Sequence, residues 1–192
     1  LRIFFDGSPP TPTRAFVIAA PANLCITTST STATSCRTTA PRTSFDNRRS
    51  TTGYCAFFAG ACIHHVSRRQ TTVATSTAHA EYLAAFDAAR DALRMRIILT
   101  DMGLPQIGST TMFEDNMTCI KMSESTASTP RMQHLDARYH WLREQVVTDK
   151  TIRLVYVSTL DQVADCLTKP LAGPDIKRFH GALSGYKPIP HP

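Results

Sequence analysis

The chain has 192 residues, of which 42% are hydrophobic and 19% charged, enough for one packed domain with or without a disordered arm. No run of 18 or more uninterrupted apolar residues occurs, which excludes a membrane-spanning helix, and the first residues lack the basic, apolar and small-residue segments of a signal peptide, so none is expected. Lys and Arg number 21 against 15 Asp and Glu, a net charge of +6 that suits a polyanionic partner without requiring one.

In chain order, Leu1–Phe5 reads as a short strand that ends at the turn residues Asp6-Gly7-Ser8-Pro9-Pro10, and Ala15–Ala20 as another. Residues 27–44 contain twelve Ser or Thr in eighteen, with no acid and no large apolar side chain. Such a segment buries too little apolar surface to offset its ordering entropy, so residues 1–44 are expected to be a poorly ordered arm. From Phe45 the pattern becomes that of a compact α/β domain. Gly53–Gly60 and Ala61–Val66 read as adjacent strands joined at Gly60-Ala61. Ser76 or Thr77 can cap a long helix that runs to about Met102, with the stripe Tyr82, Phe86, Ala89, Leu93, Ile97 on one face.

A strand at Thr110–Glu114 and a short helix at Asn116–Ser123 follow. A second long helix is expected at His134–Asp149, with the stripe Leu135, Tyr139, Leu142, Val146. Ile152–Val157 alternates as a strand, Asp161–Lys169 opens a further helix, and Asp175–Leu183 is the last before a Pro-rich tail at 184–192. The order of elements implies a mixed sheet with helices on its faces. The six cysteines form no Cys-x-x-Cys pair and read as free thiols in a reducing compartment.

Three acids occupy distinctive places: Glu81 near the start of the long helix, Asp115 just after the strand Thr110–Glu114, and Asp165 in the first turns after the last strand. Strand ends and helix starts on one edge of a sheet are where α/β sites assemble. Carboxylates that converge there repel one another, and a divalent cation relieves the repulsion. Hard oxygen ligands select magnesium or manganese, and two such ions about 4 Å apart activate water for phosphodiester cleavage. Taken singly, each acid also reads as a surface carboxylate or a charge at a helix N-terminus. The pairs Arg48-Arg49 and Arg68-Arg69, with Arg131 and Arg138, are candidates for phosphate contacts, or else solvated surface charges.

Six stretches in fixed order carry a further reading. They are Asp46-Asn47-Arg48-Arg49-Ser50-Thr51-Thr52-Gly53-Tyr54, Ser67-Arg68-Arg69-Gln70-Thr71-Thr72-Val73-Ala74, Ala78-His79-Ala80-Glu81-Tyr82-Leu83-Ala84, Glu114-Asp115-Asn116, Gln133-His134-Leu135-Asp136-Ala137-Arg138-Tyr139-His140, and the run from Asp161 to Leu171. With them, residues 45–183 resemble the ribonuclease H domain at the C-terminal end of Pol polyproteins from copia-type LTR retrotransposons. The resemblance implies a five-stranded mixed sheet flanked by helices. It implies metal-dependent hydrolysis of the RNA strand of RNA–DNA hybrids with Mg2+ or Mn2+, by Glu81, Asp115 and Asp165, inside the cell in a cytoplasmic particle or the nucleus, beside the remainder of a Pol polyprotein.

The departures are specific. The family's first strand carries an Asp-rich motif with a tryptophan shortly before the Arg-Arg-Ser-Thr segment. Near Thr38 to Pro41 neither an acid nor a tryptophan occurs. The first strand is therefore expected to be missing or degenerate, as a frame disruption across residues 9–44 would make it, with Asp6 or Asp46 as remote substitutes for its acid. His79 stands where the family usually has a second acid, His65 replaces a tryptophan, and Val157–Asp161 holds no histidine that would assist product release. Three functions stay open on the sequence: an impaired hybrid nuclease, an inactive nucleic-acid-binding remnant, and an interaction module.

Overall fold

The computed structural model describes residues 23–31, 49–74, 76–125 and 137–184. The strands expected at Leu1–Phe5 and Ala15–Ala20, together with Asp6, Asp46, Arg48, Arg131 and the tail beyond Ser184, lie outside the described residues.

Five strands form one mixed sheet: β1 Cys25–Ser31, β2 Thr51–Phe58, β3 Ala61–Arg69, β4 Thr110–Glu114 and β5 Ile152–Tyr156, in the order β3-β2-β1-β4-β5. β2 runs antiparallel to both β1 and β3, while β4 runs parallel to β1 and to β5. The β2–β3 hairpin turns at Ala59 and Gly60, both with positive φ (52° and 80°), the twist that a tight two-residue connection requires. Four helices surround the sheet: α1 Thr77–Asp101, α2 Met117–Glu124, α3 Ala137–Arg143 (prolonged by a π-helical turn at Glu144–Thr148) and α4 Gly173–Leu183. The mixed sheet with flanking helices is the architecture expected from the sequence.

The main correction concerns the first strand. Residues Cys25–Ser31, placed by composition in a poorly ordered arm, are the central strand of the sheet. Threonine is β-branched and fits a pleated surface well, so the segment has strand propensity even though it lacks large apolar residues. Leu24 and Ile26 are buried in the core cluster beneath α1, while Cys25 packs against the second cluster of Cys55, Phe57, Val163 and Phe179. The strand is thus covered on both faces. It is present, and it carries hydroxyls and no acid.

Helix α1 begins at Ser76, whose side chain accepts from the His79 N–H. Its sheet-facing side is built from small residues, Ala85, Ala88 and Ala92, all fully buried, which lets the helix lie close to the strands. The expected stripe is a second face. Tyr82 stacks on Tyr139 at 4.0 Å between ring centroids, and Phe86 meets Trp141 edge-on at 5.2 Å, so this face packs on α3. Ile97 departs from the expectation and is 62% exposed, because the stripe drifts away from the α3 contact at the far end of the helix. The helix expected at Asp161–Lys169 is instead two 3-10 turns, Thr159–Asp161 and Val163–Leu167, separated by the extended residue Gln162. Close packing of this segment on β2 explains Gly53: a Cβ there would lie 2.5 Å from Thr168 Cγ2 and 3.0 Å from Leu167 Cβ.

Ile26 has no exposed surface. Ile26→Ala is expected to cost about 2–4 kcal/mol in urea denaturation, as for a large core residue. A cost below about 0.5 kcal/mol, the range of surface substitutions, would place this strand outside the core.

Candidate active site and metal centre

The parallel alignment of β1, β4 and β5 brings their C-terminal ends to one edge of the sheet. Glu114 is the last residue of β4, and Asp115 follows it. Asn116 then caps α2, accepting from the Thr118 and Cys119 N–H groups, so the chain turns sharply and leaves both carboxylates at the strand end. Glu81, on the second turn of α1, is buried over the same edge. One carboxylate oxygen from each of Glu81, Glu114 and Asp115 lies within 4.8 Å of the other two.

Asp165 borders this trio. It sits in the second 3-10 turn, 3% exposed, and its two oxygens are occupied. Ser29 Oγ donates to Oδ1 at 2.6 Å, and Lys169 Nζ lies 2.5 Å from Oδ2. The turn is fixed to β1 by Gln162, whose Nε2 donates to the Thr28 carbonyl at 2.6 Å. The structure therefore groups Glu81 with Asp115 tightly and sets Asp165 alongside, held by β1 and a lysine.

Glu114 was not singled out in the sequence, where its neighbour Asp115 carried the motif. Its signal was a charged residue in the buried alternation of β4: it is fully buried, with Thr28 Oγ1 donating to Oε2 at 2.6 Å and the Asn116 N–H to Oε1 at 3.2 Å. Thr159 Oγ1 donates to Asp115 Oδ2 at 3.0 Å and orients it.

Burial dominates the electrostatics. It pushes Glu81 up to about 8, with the charges of Asp115 and Asp165 adding to the shift and the adjacent Thr30 opposing it. Burial also holds Glu114 well above the carboxylate range, reinforced by Glu81. Asp115 is raised too, first by burial, while Thr159 and Lys169 pull it down. A set of hard oxygen ligands that repel one another in a dry site fits a divalent cation.

The basic candidates divide. Ser31 pairs with Thr51 and Thr51 with Arg69, so the start of β2 and the end of β3 share the acidic edge. Arg49 and Arg69 are exposed there. Arg68 is held by Asp87 of α1 at 2.7 Å.

No family model matches the chain. Residues of the chain align with the Pol polyprotein of transposon TNT 1-94 from Nicotiana tabacum at 37% identity over 124 residues, 65% of this chain and 9% of that protein. The Pol polyprotein of transposon RE2 from Arabidopsis thaliana aligns at 30% identity over 145 residues, 76% of this chain and 10% of that protein. The chain thus spans about a tenth of the length of these curated relatives. Among solved structures, LC11-RNase H1, a ribonuclease H1 isolated from compost, superposes with a TM-score of 0.50 at 15% identity, over 76% of this chain and 91% of that one. The sheet order and its flanking helices define a ribonuclease H-like fold. The chain's sequence relatives are retrovirus-related Pol polyproteins of copia-type transposons, and its fold is consistent with a ribonuclease H domain within such a protein.

The raised Glu81 value makes a pH prediction. Between the ordinary value near 4.5 and about 8 the folded state keeps a proton that the unfolded chain has lost, so this group's contribution to stability falls as pH rises through that window. In chelator, the domain is expected to be more stable at pH 5 than at pH 8 by on the order of 3 kcal/mol, and Glu81→Gln is expected to flatten the slope. Urea melts at the two pH values measure it.

Proposed function

We propose that the domain cleaves the RNA strand of RNA–DNA hybrids with the help of Mg2+ or Mn2+, as one part of a Pol polyprotein inside the cell. The observation that carries this reading is the convergence of Glu81, Glu114 and Asp115 oxygens within 4.8 Å at the edge where the parallel strands end. Glu81 and Asp115 would hold the cation, with Asp165 beside them. The bound cation would make a water molecule more acidic and offset the charge that develops on the attacked phosphate. Thr159 keeps Asp115 turned toward the cluster, and the packing of α1 keeps Glu81 dry. The exposed Arg49 and Arg69 on the same edge suit phosphate contacts, and the RNA strand would be told from DNA by its 2′-hydroxyls and helix shape. Arg48, adjacent in sequence, is proposed for the same role. Arg68 contributes only if it leaves Asp87.

One observation favours a second reading, hybrid binding without cleavage. β1 offers hydroxyls in place of a carboxylate, and Asp165 is already engaged by Ser29 and Lys169.

The deciding experiment follows a labelled hybrid duplex with Mg2+, with Mn2+ and with chelator. Metal-dependent cleavage of the RNA strand is expected, reduced at least 100-fold by Asp115→Asn, which corresponds to about 2.7 kcal/mol of transition-state stabilisation. Binding without cleavage in either metal would establish the second reading. Neither binding nor cleavage would leave an interaction module.

A further inference from the structure

We infer that the apolar surface at the far end of α1 is the docking site of this chain's own residues Ala15–Ala20, with Phe16, Val17 and Ile18 covering it. The surface lies at the edge where the parallel strands begin, opposite the acids, so the inference does not depend on the nuclease reading.

Ile97, Ile98 and Met102 stand on the last turns and the cap of α1, with 62%, 57% and 66% of their surfaces exposed. Leu104 and Ile107 follow on the loop to β4, 41% and 98% exposed. This loop is fastened at several points. From α1, Arg96 Nη1 donates to the Gly108 carbonyl at 2.8 Å and to Thr110 Oγ1 at 3.0 Å, and its Nη2 donates to the Gln106 carbonyl at 2.6 Å. Gln106 Nε2 donates to the Leu104 carbonyl at 3.0 Å, and the Leu104 N–H returns to the Leu99 carbonyl at 2.8 Å around Gly103. The loop is thus held beside the end of α1 with its large apolar side chains in water. Single exposed apolar residues are ordinary, but five gathered on one helix end and its pinned loop mark a contact surface.

The chain itself enters the sheet at this surface. The Leu24 N–H donates to Gln106 Oε1 at 2.9 Å, so β1 starts directly beside the loop. The run Ala15-Phe16-Val17-Ile18-Ala19-Ala20 carries no charge, and Ile18 is six positions before Leu24. Six extended residues reach about 20 Å, whereas Ile97 to Met102 covers only about 7.5 Å of helix. The run therefore reaches the whole surface from its point of attachment. Closing so short a connection costs little entropy, and the tether gives the segment a high effective concentration that a separate partner lacks. The other upstream apolar run, Leu1–Phe5, is charged at Arg2 and lies beyond Pro9, Pro10 and Pro12.

The test uses the full chain with Ile107→p-benzoylphenylalanine, a photo-crosslinking side chain at a position whose exposure leaves the core untouched. Irradiation is expected to join position 107 to residues 15–22 of the same chain, read by mass spectrometry of tryptic peptides. A covalent dimer would assign the surface to a second copy and overturn the inference, as would the absence of any link to residues 15–22. Hydrogen exchange gives a second readout without the bulky probe. Backbone amides of residues 16–20 are expected to exchange about tenfold more slowly in the wild type than in the double variant Ile98→Asp, Ile107→Asp. Equal rates in the two proteins would overturn the inference even where a cross-link forms.

Discussion

The structure depends on how a buried central strand made of hydroxyl residues satisfies its polar groups. β1 is paired on both edges and covered on both faces, so water cannot serve Thr27, Thr28 or Ser29. Leaving each hydroxyl unpaired would cost about 1–3 kcal/mol. The acids supply the answer. Thr28 donates to Glu114, Ser29 donates to Asp165, and Thr27 shares a hydrogen bond with Cys55 Sγ at 3.1 Å. The buried carboxylates need donors as much as the strand needs acceptors. The same contacts that make β1 a stable strand therefore fix two acids of the candidate site. Gln162 adds a third tie, from the 3-10 segment to the β1 backbone, so the loop after β5 cannot drift from the sheet.

This mutual dependence also explains what could be read in advance. Residues Thr110–Glu114 were legible as a strand because two threonines followed by Met112 and Phe113 form a short β-branched and apolar run, and α1 was legible because Ser76 and a sustained apolar face mark it. Glu81, Asp115 and Asp165 were legible by motif. β1 was not. Its stability comes from partners 28 to 136 residues away, and nothing in its own composition announces them. Glu114 was hidden for the complementary reason: a glutamate is ordinarily an exposed residue, and only the Thr28 hydroxyl across the strand pair makes its burial tolerable. The 3-10 turns were missed because Gln162 is drawn into the core by a side-chain bond to β1, which interrupts a helix that the local sequence allows.

Charge is arranged with the same economy around the edge. The chain carries a net +6, yet no arginine or lysine among the described residues forms an ion pair with the converging trio of acids. The cations nearest in the fold are committed elsewhere: Arg68 to Asp87 and Lys169 to Asp165. Arg49 and Arg69 remain at the surface of that edge. The edge thus pairs buried acids with a rim of exposed arginine.

Counting acids across strands gives the last step. The site gathers four carboxylates: Glu81, Glu114, Asp115 and Asp165. Its acidic total is therefore that of a four-acid centre even though β1 contributes none. Glu114 at the end of β4 and the hydroxyls of β1 are tied to each other, and this tie has a geometric consequence. A carboxylate at Glu114 is joined to Glu81 and Asp115 on one side only, and β1 presents Ser29 to Asp165 on the other. The two sides still act on one another, because the Asp165 charge raises both Glu81 and Asp115. On the first side neutral donors serve the acids, Thr28 and Asn116 for Glu114 and Thr159 for Asp115, while on the second Lys169 pairs with Asp165. The central strand therefore decides which donor each of these acids receives, Thr28 for Glu114 and Ser29 for Asp165, and so where each carboxylate sits on the edge.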